Sequence, residues 1–117
     1  MAEKKTYTAI ATVYVVLTGE GVCTATQDLP SEDLHEVADL WLADKGRALR
    51  VTLGGYEGAE PTITIGRLYS FGEGEKRRSG FSSKPKWGLG AFPPAMAAEL
   101  ARVLYLLAQS QGVSLAA

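Results

Sequence analysis

Residues 61–71 read PTITIGRLYSF. Ile63, Ile65, Arg67, Tyr69 and Phe71 alternate with Thr62, Thr64, Gly66, Leu68 and Ser70, the period of a β-strand with two unlike faces. Just upstream, RALRVTL at 47–53 has the same period, with Leu49, Val51 and Leu53 on one face and Arg50 and Thr52 on the other. GGYEG at 54–58 has the composition of a turn or short loop between them. The natural arrangement is antiparallel.

The chain before this pair carries a longer strand. In TYTAIATVYVVL (6–17), strict alternation puts Tyr7, Ala9, Ala11, Val13, Val15 and Leu17 on one face and Thr6, Thr8, Ile10, Thr12, Tyr14 and Val16 on the other. GEG at 19–21 is a tight turn, and VCTAT at 22–26 is its partner strand. A helix then opens at Pro30 and Ser31, with Ser31 as N-cap and Glu32 and Asp33 suited to the positive end of the helix dipole. Leu34, Val37, Ala38, Trp41 and Leu42 fall on one stripe, Glu32, Glu36 and Asp39 opposite, and Gly46 is the expected stop.

Downstream of the decisive strand lies FGEGEKRRSGFSSKPKWGLG (71–90), read as a flexible basic loop, with WGLGAF (87–92) offering a short final strand. Pro93 and Pro94 start a last helix running to about Gln111 before Gly112. Met96, Leu100, Val103, Leu104 and Leu107 form its apolar seam, and Ala97, Ala101 and Leu106 carry apolar surface much of the way round. Such a helix is either shared between two chains, making a homodimer or higher oligomer, or a sheet-covered core helix with an alanine-lined exposed side. The expected fold is therefore α+β, an antiparallel sheet of four to five strands with two helices in the order β-β-α-β-β-(β)-α. With 117 residues, 46% hydrophobic and 21% charged, residues 1–117 fit one domain.

Net charge is −1, so no global field drives the chain to nucleic acid or membrane. Its distribution is uneven: residues 20–44 hold seven acids and no Lys or Arg, and residues 76–86 hold five cations and no acid. The single cysteine, Cys23, permits no intrachain disulfide and no zinc pattern; a buried thiol and a reducing cytoplasm are expected. MAEKK before AIATVYVVL outlines a signal sequence, but Thr, Val and Tyr suit a strand and no A-x-A site follows. No stretch approaches the roughly 20 apolar residues of a membrane span.

Catalytic signals are weak. His35, the only histidine, reads as a surface residue without a positioned nucleophile or orienting acid. The acids at 32–39 read as a solvated helix face rather than a metal site. GEGEKRRSG lacks the Walker spacing, and GLG at 88–90 lacks its dinucleotide-binding continuation. A non-enzymatic protein with no cofactor and no metal is expected.

The basic loop carries the strongest functional signal. Lys76, Arg77, Arg78, Lys84 and Lys86 interleave with Phe71, Phe81 and Trp87, and Arg50, Arg67 and Tyr69 lie on the strands leading to it. Cations hold phosphates and aromatics stack on unpaired bases. The plain alternative is a mobile loop whose Trp87 packs into the core. Residues 47–111 resemble the PC4-like single-stranded DNA-binding domain family through RALRVTLGGYEG, ITIGRLY, EGEKRRSG and GLGAFPPAMAAELARVL. That resemblance implies a curved sheet followed by a dimerising helix, with Arg50, Arg67, Tyr69, Lys76, Arg77, Arg78, Lys84, Lys86 and Trp87 lining a strand-binding groove. The acidic segment 31–44 and the FSSKPKW insertion have no place in the family pattern.

Three functions follow. The first is binding of single-stranded nucleic acid by sheet cations and the basic aromatic loop. The second is a regulator or inhibitor, of phage or bacterial type, that meets a protein partner with its acidic helix. The third is capture of a small anionic ligand such as a nucleotide at an oligomer interface lined by Arg67 and the loop cations.

Overall fold

A computed structural model describes residues 5–84 and 90–113. Its elements are β1 (Tyr7–Leu17), β2 (Cys23–Thr26), α1 (Leu34–Trp41), β3 (Arg47–Tyr56), β4 (Thr62–Phe71), β5 (Arg78–Ser82), β6 (Gly90–Phe92) and α2 (Pro94–Gln109). All strand pairs are antiparallel, in the order β2-β1-β3-β4-β5, with β6 also on β4. β3 occupies one edge of β4. On the other edge β5 pairs with Arg67–Phe71 and β6 with Ile63–Ile65. This is the expected α+β class, with one strand more than the patterning shows.

That strand is β5. Within the stretch read as a flexible loop, residues 74–82 instead form a single 3-10 turn at Gly74–Lys76 followed by a ladder to β4. Its alternation is short and is interrupted by Gly80, so it is masked in the sequence by the surrounding Gly, Ser and Lys. The GGYEG turn is likewise smaller than expected, because β3 continues through Gly54 and Gly55 to Tyr56.

Register defines two faces. Tyr14, Arg50 and Gly66 are successive cross-strand partners, as are Thr12, Thr52 and Thr64; these lie on the inner face, toward α1. Val13, Val51 and Ile65 pair on the outer face. The strict alternation expected for β1 breaks at Ile10, where a β-bulge separates Ala9 (opposite Gly54) from Ala11 (opposite Leu53). Tyr7 and Ala9 thereby move to the inner face with Thr12 and Tyr14. Ile10, the extra residue, is exposed.

The core is small. Val37 and Ala38 of α1 bury against Tyr14, Val16, Ala48 and Leu68, with Leu29, Leu34, Trp41, Leu42 and Phe81 packed around them. The apolar stripe of α1 is as expected, but the helix is shorter. Asp33, not Ser31, is the N-cap, accepting from the His35 N–H at 2.9 Å. Ser31 instead accepts from the Asp33 N–H and donates to Glu36 Oε2 at 2.6 Å. At the other end the left-handed positions are Asp44 and Lys45 (φ 51° and 66°), whereas Gly46 is extended at φ −63°. Gly46 serves close approach: a Cβ there would collide with the Trp41 carbonyl oxygen and crowd the Leu17 carbonyl oxygen at 3.1 Å.

α2 stands apart from this core. None of its residues is buried, and its main neighbour in the sheet is β4. Met96, Leu104 and Leu107 are 58%, 56% and 63% exposed, Val103 is exposed and Leu100 is half-buried. The chain's accessible surface is 8999 Å², against about 6,200 Å² for a compact monomer of 12.5 kDa. Its radius of gyration is 16.1 Å, where about 13.4 Å is usual for this length. No helix among the described residues is long and apolar enough to cross a membrane.

Gly46→Ala is expected to destabilise the fold by about 2–3 kcal/mol, because the new Cβ has no room without backbone movement. Urea unfolding followed by circular dichroism measures this, and an unchanged midpoint would contradict the packing described for the α1–β3 junction.

Candidate nucleic-acid interface

The strands carry Arg47, Arg50, Arg67 and Arg78 and no Asp or Glu. Among the described residues every Asp and Glu lies instead on a helix or in a turn or loop. A sheet with only positive side chains attracts anions, and its arginines suit phosphate geometry.

Register decides how these cations are grouped. Arg67 and Tyr69 lie on the outer face of β4, followed by Phe71, which is directly opposite Arg78 on β5. Tyr69 and Phe71 stack with centroids 5.5 Å apart and planes at 27°. Gly80, opposite Tyr69, makes room for this: a Cβ there would meet the Tyr69 hydroxyl at 3.1 Å. Arg67, Phe71 and Arg78 are exposed and Tyr69 is half-buried. Arg47, opposite Leu17 at the start of β3, shares this face. Its parity with Leu49 in the sequence is the signal that places it there.

Arg50 and Phe81 do not join that group. They point to the inner face, where the Arg50 guanidinium carbon lies 5.0 Å from the Phe81 ring centroid. The single groove expected from the sequence is thus divided between two faces. Lys76, in the turn before β5, and Lys84, just beyond it, are exposed. Lys86 and Trp87 lie outside the described residues.

Arg77 has a different position from the free loop cation expected. Its guanidinium donates to Asp39 Oδ1 at 2.6 Å, to Ser70 Oγ at 3.1 Å and to the His35 carbonyl at 3.3 Å. Ser70 Oγ lies 2.8 Å from Ser79 Oγ, which is 2.7 Å from His35 Nδ1. This network clamps α1 onto the β4–β5 hairpin. His35 is therefore half-buried and engaged rather than a plain surface residue. It has a serine neighbour, and among the described residues no carboxylate bonds its other ring nitrogen.

The acids of α1 are likewise employed: Asp39 holds Arg77, Glu36 accepts from Ser31 and Asp33 caps the helix. Among the described residues no three His, Cys, Asp or Glu converge on a metal position. Cys23 is exposed rather than buried, because β2 is a short edge strand paired only with β1. Comparison with protein-family models, with curated proteins and with solved structures gives no match for this chain.

The hydrogen bond from Arg77 holds the Asp39 carboxyl below its ordinary range, with the charge of Arg77 adding to the effect. A depressed folded-state value means this contribution is complete above the unfolded value near pH 3.9 and disappears as pH falls through the lower folded value. The melting temperature of wild type should exceed that of Asp39→Asn by a constant margin from pH 7 to about 5. The margin should shrink only below about pH 4. A margin that closes near neutrality would show that the clamp depends on another group.

Proposed function

We propose that the protein binds single-stranded nucleic acid on the outer face of its sheet, as a homodimer joined through α2. The observation that carries the reading is the outer-face group of Arg47, Arg67, Tyr69, Phe71 and Arg78 on strands devoid of carboxylates. Arginines there meet phosphates, and the stacked Tyr69–Phe71 pair offers a platform for unpaired bases. Lys76 lies in the turn leading into β5 and adds charge near this end of the sheet. The role is binding without chemistry, and the resemblance of residues 47–111 to PC4-like domains supports the dimer helix and the part of its groove formed by Arg67, Tyr69 and Arg78.

The second copy is the partner that fits α2. Its only charged side chains, Glu99 and Arg102, bond to each other, so self-association meets no net like-charge repulsion. The chain exposes roughly 2,800 Å² more than a compact monomer of its mass, which exceeds the roughly 1,000–2,500 Å² that each partner buries in an obligate homodimer.

Fluorescence anisotropy with labelled oligonucleotides at several salt concentrations tests the binding. Arg67→Ala with Arg78→Ala should weaken affinity at least about tenfold at low salt and flatten the salt slope by about 1.4, since each phosphate contact on a single strand contributes about 0.7. Phe71→Ala should cost about 1–3 kcal/mol. No binding at low salt, or binding indifferent to these variants, overturns the reading. Sedimentation equilibrium should show a wild-type dimer and a monomer for Leu104→Glu/Leu107→Glu. A monomeric wild type at high concentration removes the α2 interface.

A further inference from the structure

The inner face holds a second feature that the outer-face reading does not use. α1 covers only one end of this face. Beyond it lies an open trough of about 600 Å³, a size ordinary for small-molecule sites. Its floor is built in cross-strand rows. Thr12, Thr52 and Thr64 form one row across β1, β3 and β4; Ala9, Gly54 and Thr62 form the next. Gly54 is buried beneath the Tyr7 side chain, since a Cβ there would lie 2.7 Å from the Tyr7 hydroxyl and 2.6 Å from the Thr8 carbonyl oxygen.

The two ends are chemically different. At the α1 end stands Arg50, half-buried against Phe81 and with no carboxylate in salt-bridge reach among the described residues. At the far end Tyr7 and Tyr56 meet edge to face at 5.3 Å, both exposed, with Glu60 beside them on the rim. From Arg50 to Gly54 the strand advances about 13 Å. A half-buried cation without a counter-ion seeks an anion. Threonine hydroxyls both donate and accept to ribose and phosphate oxygens. Exposed tyrosines stack on a planar ring, and Glu60 accepts from ring amino groups.

We infer that this trough is a site for a nucleoside phosphate, with the phosphate at Arg50, the sugar over the threonine row and the base at Tyr7 and Tyr56. The ligand is a free nucleotide or the phosphorylated end of a strand; both present the same chemistry. The site is independent of the outer face, so either can fail alone.

Isothermal titration of the full chain tests it, using nucleoside monophosphates, 5′-phosphorylated dinucleotides, unphosphorylated nucleosides and orthophosphate. Monophosphates or phosphorylated dinucleotides should bind at least about tenfold more tightly than nucleosides or orthophosphate, because charge and stacking act together. Binding by monophosphates assigns the free nucleotide, and binding by dinucleotides alone assigns the strand end. Arg50→Gln should weaken binding about tenfold or more, and Thr52→Val with Thr64→Val severalfold. The threonine variant keeps β-branched side chains in the strands and supplies the test if Arg50→Gln does not fold. Arg67→Ala/Arg78→Ala should leave nucleotide binding unchanged while weakening oligonucleotide binding. Absence of binding at millimolar nucleotide, equal affinity for nucleosides, or indifference to the Arg50 and threonine variants overturns the inference.

Discussion

The seating of Val37 and Ala38 on Tyr14, Val16, Ala48 and Leu68 is the contact on which the rest of the molecule depends. Among the described residues it forms the buried core, where helix and sheet exclude water most fully. A patch this small holds an eight-residue helix only with help. That help is the Arg77 clamp, which ties Asp39 and the His35 carbonyl of α1 to Ser70 of β4. Because the helix covers only one end of the inner face, the other end remains an open trough. The aliphatic outer face, with Val13, Val15, Val51, Leu53, Ile63 and Ile65, remains half-buried.

Charge is sorted by element. The charged side chains of the strands are all arginines, while the described acids occupy the helices, turns and loops. With a net charge of −1 no long-range field survives, and within a Debye length of about 8 Å it is the local sorting that a ligand meets. The two sheet faces use their arginines differently. The outer ones stand in water beside stacked aromatics, the setting of an extended binding surface. The inner Arg50 is alone, half-buried and at the end of a hydroxyl-lined hollow, the setting of a compact one.

Much of this architecture was legible in the chain. The alternations in 47–53 and 61–71 identify β3 and β4, the stripe through Leu34, Val37, Ala38 and Trp41 identifies α1, and Pro93–Pro94 marks the start of α2. β5 was hidden, because five residues with a central glycine carry too little period to stand out from a basic loop. The bulge at Ile10 was hidden too, since nothing in TYTAIATVYVVL marks where the partner strand has one residue fewer. The site was legible as a set of residue types and illegible as a surface. Arg50, Arg67, Arg77 and Arg78 look alike in the chain, yet one faces the trough, two face outward and one is a structural clamp.

Local patterning by itself determined the class of the fold, its main strands and helices, and the concentration of cations around β4. These depend on periodicities of a few residues and on glycine and proline chemistry, which act over short distances. Only the tertiary structure decided which cations share a face and which side of the sheet α1 covers. It also decided that the threonine row would floor a hollow. Those outcomes depend on register between strands far apart in sequence, where a shift of one residue moves every side chain to the opposite face.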